Sequence, residues 1–225
     1  MGTEIKRCLI LCAGELPEAA WKKAQNQRFA LVIAADGGWM HARRLNIRPD
    51  LILGDFDSSP SPDWEGVPVK TFPPQKDDTD TMLAVKEGLS RGCGEFWILG
   101  GMGGRFDHTV ANLQALEYLA VRGCSGWLLD GRHSVTVLRG GSLTLTRPQS
   151  GYLSVFSLSD RSEGVSLRGV EYPLENGVLE RNFPLGVSNH IVAEQAEISV
   201  ASGTLLIVLA GGGEGPAAPS RTKCQ

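Results

Sequence analysis

Two closely spaced aspartates follow a short apolar run, where residues 54–58 read Gly-Asp-Phe-Asp-Ser. Side chains alternate along extended backbone, so we expect Asp55 and Asp57 to project to the same side and to share one space. If the apolar run is a strand of a parallel sheet, both carboxylates lie at the edge where such sheets bind ligands. Aspartates also close turns after strands, and for either residue taken alone that structural role is the commoner one.

A second acidic group, Lys-Asp-Asp-Thr-Asp at residues 76–80, opens a helical segment. Capping and the helix dipole explain one or two acids there, but three are harder to explain in that way. If Asp80 converges with Asp55 and Asp57, unit charges about 4 Å apart repel by about 4 kcal/mol per pair at an effective dielectric of about 20. A hard dication removes this penalty, and Mg²⁺ shared between carboxylates and phosphates is the usual solution.

Two glycine-rich turns are candidates for receiving the phosphates. The first, Asp36-Gly37-Gly38, and the second, at residues 100–105, each follow an apolar run and precede a helical stretch. Glycine lets the backbone approach an anion closely and present N–H groups at a helix start. Neither turn is a Walker A motif or a dinucleotide fingerprint, so glycine alone is a weak signal here.

The charged residues that follow the second glycine turn strengthen it as a candidate phosphate site. Gly103 and Gly104 precede Arg105, and His108 lies three residues further on. At a helix start these two side chains share a face, which offers a phosphate fork beside a hydrogen-bond donor. The alternative is a surface arginine with Asp107 as an ordinary capping residue, and for His108 alone that alternative is equally well supported.

Composition excludes several classes of protein. The chain has 225 residues and ordinary hydrophobic content, so we expect a globular protein. Its net charge of −3 shows no excess of Lys and Arg of the kind that binds a nucleic-acid polymer. Its five cysteines show no CxxC pair or metal-ligand spacing, which favours reduced thiols and a cytoplasmic location. No apolar segment approaches the length needed to cross a bilayer, so no membrane association is expected.

The elements that must position these residues alternate between apolar runs and helical stretches up to about residue 130, which is typical of parallel βα units. We expect helices at 79–91 and 106–122, with inward stripes of Met82, Val85 and Leu89 in the first and of Val110, Leu113 and Leu116 in the second. The expected strands are residues 6–12, 30–35, 50–54, 67–71, 94–99 and 126–129.

Beyond residue 130 the pattern changes to short alternating strands with turn signals at Gly140-Gly141, Asn176-Gly177 and Ser202-Gly203. The predicted organisation is an α/β domain at 1–131 with a mostly parallel, Rossmann-like sheet, then an all-β sandwich or barrel at 132–210. A flexible tail is expected at 211–225, where Gly, Pro and Ala leave little to bury.

Taken in order and spacing, these motifs resemble those of the thiamine pyrophosphokinase family. The match covers residues 36–109 strongly, and Gly-x-Ser-Asn at 186–189 resembles that family's substrate motif. The resemblance implies an α/β nucleotide-binding domain followed by a β-sandwich, and a homodimer with thiamine sites between subunits. It also implies that the thiamine hydroxyl attacks the β-phosphorus of ATP to release AMP.

The resemblance assigns a role to most of the polar residues named above. Asp77 and Asp80 are both candidates, by proximity only, for the general base. The implied ligand sets are Asp55, Asp57 and Asp80 for Mg²⁺; Arg105 for phosphate; Asp36, Gly37, Gly38, Lys76, Thr79, Gly103, Gly104, Asp107 and His108 for the nucleotide and transfer site; and Ser188 and Asn189 for the thiamine pyrimidine.

Two other hypotheses remain open at this point. The acceptor pocket is the least specified part of the pattern, so the same chemistry on another hydroxymethyl heterocycle, such as a pterin, is an alternative. Some family members stack a late tryptophan on thiamine, whereas this chain has no tryptophan after Trp127. A non-catalytic nucleotide or thiamine sensor is the third hypothesis, although a pure binder does not need a full acidic cluster.

Overall fold

The structure is a computed structural model that describes residues 5–57, 59–148, 150–211 and 221–222. The chain divides into two compact units, residues 1–130 and 131–225. The first contains all four helices of the described residues, and the described part of the second consists of strands and connecting loops.

The first unit is built around a parallel sheet of six strands. Its strands are β1 (Arg7–Leu11), β2 (Leu31–Ala35), β3 (Leu51–Gly54), β4 (Val69–Thr71), β5 (Glu95–Leu99) and β6 (Ser125–Leu129). Its helices are α1 (Glu18–Ala24), α2 (Gly38–Arg44), α3 (Asp80–Ser90) and α4 (Phe106–Val121). All of these strands begin and end within two residues of the predicted bounds.

The strand order is β6-β5-β1-β2-β3-β4, and every neighbouring pair is parallel. From β1 the chain proceeds outward through β2, β3 and β4, and then returns to the other side of β1 with β5. The carboxyl ends of β1 and β5 therefore form the switch point at which open parallel sheets bind ligands. Apart from Arg7 and Glu95, which begin β1 and β5, the residues of β1, β3 and β5 are apolar and buried because both faces of the sheet are covered.

The two long helices bury faces that differ from the predicted stripes. In α3 the buried residues are Thr81, Ala84, Val85 and Gly88, while Met82 and Leu89 are only partly buried. Small residues face the sheet because the packing is close: a Cβ at Gly88 would lie 2.5 Å from Cε1 of Phe96.

In α4 the predicted stripe is also shifted. Val110 is exposed and Leu113 is half-buried, whereas Leu116 is buried as expected. The face that packs inward consists of Asn112, Ala115, Leu116, Leu119 and Ala120. Asn112 is accommodated because its Nδ2 donates to the carbonyl of Gly101 across 2.7 Å.

The second unit consists of antiparallel strands. They are β7 (His133–Thr146), β8 (Tyr152–Ser157), β9 (Arg161–Arg168), β10 (Leu174–Glu180), β11 (Gly186–Asn189), β12 (Gln195–Ala210) and β13 (Arg221–Thr222). The long strand β12 pairs with β7 along its length, with β9 over its first half and with β8 over its second. Its burial alternates, so one face of the sheet supplies the core of this unit.

The three predicted turns of this unit are bulges inside strands. Gly140 and Gly141 have φ values of 62° and 82°, yet β7 continues through them. Gly141 pairs with Val200 of β12 and Arg139 pairs with Thr204, so the register of the pair shifts at Gly140, which lies opposite residues 201–203. Asn176-Gly177 likewise falls at register shifts within β10. Positive φ at these positions serves a bulge instead of a chain reversal, which local sequence cannot distinguish.

The predicted tail falls mostly outside the described residues. Of the range 211–225, Gly211 and the short strand β13 are described, and β13 pairs with β7. Within the described residues, no helix is long and apolar enough to cross a membrane.

Candidate functional site

The loops after β1 and β5 meet at the switch point. The backbone N–H of Gly14 donates to the carbonyl of Gly100 across 3.0 Å, and Cys12 N–H donates to Leu99 across 2.8 Å. A Cβ at Gly14 would lie 2.5 Å from the Gly100 carbonyl oxygen, and Gly100 itself has a φ of 70°. Glycine is therefore required at both positions, and the approach of the two loops shapes the floor of the site.

The turn after β2 brings the Asp36 carboxylate to the same edge of the sheet. Asp36 has a φ of 47°, and its backbone N–H donates to Leu53 across 2.7 Å. Its Oδ1 accepts a hydrogen bond of 2.7 Å from Ser59. A Cβ at Gly54 would lie 2.9 Å from the Cα of Asp36, so this glycine lets the two loops pack together. A left-handed aspartate anchored in this way is a strained position of the kind found at functional sites.

Gly38 begins α2 directly against the end of β1. A Cβ at this position would lie 1.9 Å from the carbonyl oxygen of Leu11, which no side chain tolerates. Gly37 and Gly38 are buried, so the turn is packed tightly between the carboxyl end of β1 and the start of the helix. The predicted location of this glycine turn between a strand and a helix is confirmed.

Lys76 joins two of the predicted acidic residues. Its Nζ lies 2.8 Å from Oδ2 of Asp55 and 2.6 Å from Oδ1 of Asp80. The side chains of Lys76, Asp55 and Asp80 are only 13%, 12% and 22% exposed. The end of β3 and the start of α3 therefore meet around one ammonium group, and we call these three residues the Asp55–Lys76–Asp80 cluster.

The charges of the cluster act on one another. The hydrogen bond from Lys76 lowers the pKa of Asp55. Burial, together with the negative charges of Asp55 and Asp36, raises the pKa of Asp80 despite its bond to Lys76. Although burial opposes the charged form of Lys76, its bonds to Asp55 and Asp80 raise its pKa. The mutual effect of three aspartates on this site indicates that Asp36 belongs to the same acidic region.

The argument that Asp55 and Asp57 alternate on extended backbone is wrong. Strand β3 ends at Gly54, and Phe56 has a left-handed φ of 55°. The backbone N–H of Asp57 donates to Oδ1 of Asp55 across 3.3 Å, and the Asp57 side chain is exposed. The turn forms because the ring of Phe56 packs against the buried cluster around Trp39 and Ile52. The two carboxylates are thus adjacent, but in different surroundings.

Two further residues of the second acidic motif lie outside the cluster. Asp77 is exposed, and none of the described ion pairs includes it. Thr79 is the N-cap of α3, and its Oγ1 accepts a hydrogen bond of 3.2 Å from the backbone of Met82. The capping role explains Thr79 without any ligand.

The charged residues after the second glycine turn are all exposed. Arg105 is the N-cap of α4, and its guanidinium lies 2.6 Å from the carboxylate of Asp107. This contact lowers the pKa of Asp107 and raises that of Arg105. Gly103, Gly104 and His108 are exposed as well. None of the described ion pairs joins this loop to the Asp55–Lys76–Asp80 cluster.

Two residues that sequence reasoning missed support the site. Gly14 could have been found, because a glycine directly after an apolar strand is the same signal used for Gly37 and Gly100. Ser59 could not have been found from the sequence, because its role depends on a hydrogen bond to Asp36 that forms only when the two segments meet in the fold. Cys12 is also at this edge, but burial raises its pKa to about 11 and its Sγ contacts Thr81 at 3.3 Å, so it is a packed thiol and not a nucleophile.

The residues present fit a hard divalent cation. Within the described ranges, no three His, Cys, Asp or Glu side chains are already arranged as a metal-ligand set. However, the ammonium of Lys76 lies between two carboxylates at hydrogen-bonding distance, which shows that this space accommodates a cation. Carboxylate oxygens are the donors that Mg²⁺ prefers.

In the second unit, Asn189 is buried and its amide makes three hydrogen bonds to the backbone. Its Oδ1 accepts from the N–H groups of Tyr172 and His190 at 3.0 and 2.8 Å, and its Nδ2 donates to the Tyr172 carbonyl at 2.8 Å. Neighbouring Ser188 is exposed, with a φ of 59°. The two residues predicted to share a role therefore have different environments.

Asn189 also borders an apolar groove of about 180 Å³. The walls of the groove include Tyr172, Leu174, Leu185 and Val187. Tyr172 is 64% and Leu185 56% exposed, so the groove presents a substantial apolar surface.

The first unit is thus an α/β domain whose glycine turns and acidic cluster lie along the carboxyl edge of a parallel sheet, followed in the chain by an all-β unit. The model of the thiamin pyrophosphokinase catalytic domain matches residues 21–126, and that of the thiamin pyrophosphokinase vitamin B1 binding domain matches residues 142–205. Together the two matches cover more than half of the chain, which belongs to the thiamin pyrophosphokinase family. The resemblance seen in the motifs is confirmed.

Individual relatives agree with this membership. The chain is 26% identical over 184 residues to thiamine pyrophosphokinase of Bacillus subtilis, covering 79% of this chain and 86% of that protein. It is 28% identical over 173 residues to thiamin pyrophosphokinase 1 of Caenorhabditis elegans, covering 71% and 70%. The crystal structure of thiamin pyrophosphokinase from Geobacillus thermodenitrificans superposes with a TM-score of 0.79 at 25% identity, covering 91% and 97%.

Proposed function

We propose that this chain is a thiamine diphosphokinase. The oxygen of the thiamine hydroxyl attacks the β-phosphorus of ATP, the bond from that phosphorus to the oxygen bridging to the α-phosphate breaks, and AMP leaves. The products are thiamine diphosphate and AMP. The observation that carries the proposal is the Asp55–Lys76–Asp80 cluster at the sheet edge, in a chain whose two parts match the two domains of one family.

We assign the phosphates of ATP to the glycine turns at the switch point. Gly37 and Gly38 begin α2, and Gly103 and Gly104 precede α4, so both turns present backbone N–H groups at helix starts. Arg105 is exposed beside the second turn and is free to exchange Asp107 for a phosphate. Phosphoryl transfer depends mainly on positioning and charge neutralisation, which these groups supply. Asp36, Asp107 and His108 complete the nucleotide side of the proposal.

The carboxylates of Asp55, Asp57 and Asp80 are the proposed Mg²⁺ ligands. When bound, Mg²⁺ would neutralise these carboxylates and the polyphosphate together. Ser59 holds the Asp36 carboxylate in place at the rim of this acidic region. Asp77, which is exposed, and Asp80 are the two candidates for accepting the proton of the thiamine hydroxyl.

Thiamine binding is proposed for the second unit, which contains the vitamin B1 binding match. Ser188 is exposed and available to a ligand, whereas the Asn189 amide supports the backbone around it. We also propose that the unit is a β-sandwich and the first unit Rossmann-like. The pairing of β12 supports the former, because one half of the strand pairs with β9 and the other half with β8. The strand order around β1 supports the latter.

A homodimer and a cytoplasmic location are part of the same proposal. Exposed apolar side chains of the second unit support the dimer, since such surface usually contacts a partner. They are Tyr152, Tyr172, Val178, Phe183, Leu185, Val187 and Val192. Among the described residues, Cys8, Cys12, Cys93 and Cys124 form no disulfide, which suits a reducing compartment. Light scattering over a range of protein concentrations tests the dimer.

The decisive experiment incubates the purified protein with ATP, Mg²⁺ and thiamine, and quantifies AMP and thiamine diphosphate by chromatography. We expect equal amounts of both products and no AMP with a hydroxymethyl pterin in place of thiamine. Asp57→Asn should lower kcat at least about a hundredfold. Asp63→Asn, an exposed aspartate of the same inter-strand segment, is the matched control and should leave kcat unchanged. Tight binding of ATP and thiamine without AMP would instead identify a sensor.

A further inference from the structure

We propose that Lys76 is an exchangeable counter-ion. Without ligands its ammonium neutralises Asp55 and Asp80, and when Mg²⁺ and ATP bind it gives up these carboxylates to the metal and moves to the polyphosphate. The exchange couples metal binding to nucleotide binding. This inference rests on the proposed function, because it takes the metal and the nucleotide from it.

The geometry shows how completely Lys76 occupies the acidic region. One Nζ contacts carboxylates from two segments, at 2.8 Å from Asp55 and 2.6 Å from Asp80. Two of its three protons are therefore used on the oxygens proposed as metal ligands. Its side chain is only 13% exposed, so the ammonium lies within the site and not at its rim.

The ammonium and a dication cannot share this position. A lysine head and Mg²⁺ at a common carboxylate would lie a few ångströms apart, where like charges repel strongly in a partly buried site. Mg²⁺ binding therefore requires the ammonium to leave. A lysine can do this because its charge is carried on a flexible four-carbon stem, and a polyphosphate beside the site offers it a new anionic partner.

Exchange of this kind makes the two ligands cooperative. Mg²⁺ alone must displace Lys76 without providing it with another partner, so it binds weakly. A nucleotide alone must draw the ammonium away from two uncompensated carboxylates, so it also binds weakly. Bound together, they satisfy every charge, and by linkage each raises the affinity of the other by the same factor.

The test compares the wild type with Lys76→Met and with Lys86→Met. Lys86 lies on α3 and pairs with Asp78 at 2.6 Å, but its side chain is 44% exposed. Both variants lose one positive charge from the same region, so Lys86→Met controls for long-range electrostatics. Calorimetric titration with MgCl₂ alone measures the metal, and titration with α,β-methylene-ATP at saturating Mg²⁺ measures the nucleotide, since this analogue cannot transfer diphosphate.

We expect opposite signs for the two ligands in Lys76→Met. Mg²⁺ alone should bind about tenfold tighter than to the wild type, and the Mg²⁺-saturated analogue about tenfold weaker, within the usual range of coupling between sites. Lys86→Met should match the wild type in both titrations. Lys76→Gln, which keeps a polar side chain without the charge, should behave as Lys76→Met and serves if the latter folds poorly.

Mg²⁺ affinity in both Lys76 variants that equals or falls below that of Lys86→Met would overturn the exchange. That result, in a wild type that makes thiamine diphosphate, leaves the proposed function intact. Conversely, a wild type that shows the opposite-sign pattern but makes no thiamine diphosphate supports the exchange and contradicts the proposed reaction. The two failures are therefore separated by the product assay.

Discussion

The hydroxyl of Ser59 donates to Oδ1 of Asp36 across 2.7 Å, although 23 residues separate the two in sequence. This bond links the turn after β2 to the segment after β3 and fixes a carboxylate whose backbone is left-handed. A hydrogen bond to a charged group contributes about 1.5 kcal/mol or more, equivalent to roughly tenfold in an equilibrium or rate constant.

Ser59→Ala should therefore lower kcat/KM of thiamine diphosphate synthesis about tenfold, because Asp36 loses its anchor. Ser90→Ala is the matched control, since the Ser90 hydroxyl donates only to the Glu87 carbonyl on the exposed side of α3. Steady-state kinetics with ATP as the varied substrate measures both variants. An unchanged kcat/KM in Ser59→Ala would show that Asp36 needs no orientation.

Gly14→Ala should disrupt the switch point. Its Cβ would lie 2.5 Å from the carbonyl oxygen of Gly100, and that oxygen belongs to the backbone and cannot turn aside as a flexible side chain can, so the loops must separate. We expect a loss of about 1 to 3 kcal/mol in the free energy of unfolding, as for other overpacked sites, together with weaker ATP binding. Urea denaturation and nucleotide titration provide the two measurements.

Gly94→Ala is the control for that change. Its new Cβ would meet only the Cγ2 methyl of Ile5, at 3.2 Å, and this side chain is 62% exposed and has room to shift. We expect its stability to remain within about 0.5 kcal/mol of the wild type. Equal losses of unfolding free energy in both variants would mean that the close approach of the Gly14 and Gly100 loops does not account for the effect of Gly14→Ala.

Asp55→Asn should lower stability in the Mg²⁺-free protein at pH 7. Lys76 lowers the pKa of Asp55 in the folded chain, so ionised Asp55 favours folding above its unfolded-state pKa of about 3.9. The contribution disappears as the pH falls through the lower, folded-state value. Thermal unfolding from pH 7 to pH 3 should therefore show a difference of about 1.5 kcal/mol at neutral pH that shrinks in acid.

Asp80→Asn should have the opposite effect. Burial raises the pKa of Asp80 in the folded chain, so its ionised form opposes folding at neutral pH. The variant should be more stable than the wild type at pH 7 without Mg²⁺, and the gain should vanish below the unfolded-state pKa of about 3.9. A Tm below that of the wild type at pH 7 would contradict this assignment. Lost activity with gained stability is the usual sign of a functional carboxylate.

Asn189→Ala and Ser188→Ala should distinguish a side chain that supports the backbone from one that contacts thiamine. Removal of the Asn189 amide takes away the partner of two backbone N–H groups and one carbonyl in a partly buried position, so we expect a loss of about 3 kcal/mol in unfolding free energy. Ser188→Ala should leave stability unchanged and raise the KM for thiamine. Chemical denaturation and thiamine kinetics distinguish the two outcomes.

Much of the first unit follows from its sequence because periodicity and strand ends are local properties. The apolar runs gave the six strands, and the residues directly after them gave the acidic and glycine motifs. Asp55 and Asp80 were predicted from charge and position and Lys76 from the family resemblance, and the structure brings all three together. What could not be foreseen is that Lys76 lies between the carboxylates, since this depends on the path of the chain after β4.

The errors share a different physical origin. The stripe of α3 was shifted because small residues, not large ones, fit against Phe96 at close distance. The glycines of β7 and β12 fit a chain reversal as well as a bulge, because a positive φ is common to both, and only the pairing partner decides between them. The turn at Phe56 was missed because tertiary packing of its ring, not local preference, ends the strand.

The central position of β1 has a consequence for how the chain acquires its structure during synthesis. One edge of β1 pairs with β2, which follows closely, but the other pairs with β5, where Arg7 is opposite Glu95. A growing chain therefore leaves the second edge of this largely buried strand unpaired until almost a hundred residues have emerged. Contacts between segments so far apart form slowly, and an open apolar edge invites association in the meantime. Early truncations of this chain should consequently aggregate, whereas chains that extend beyond β5 should not.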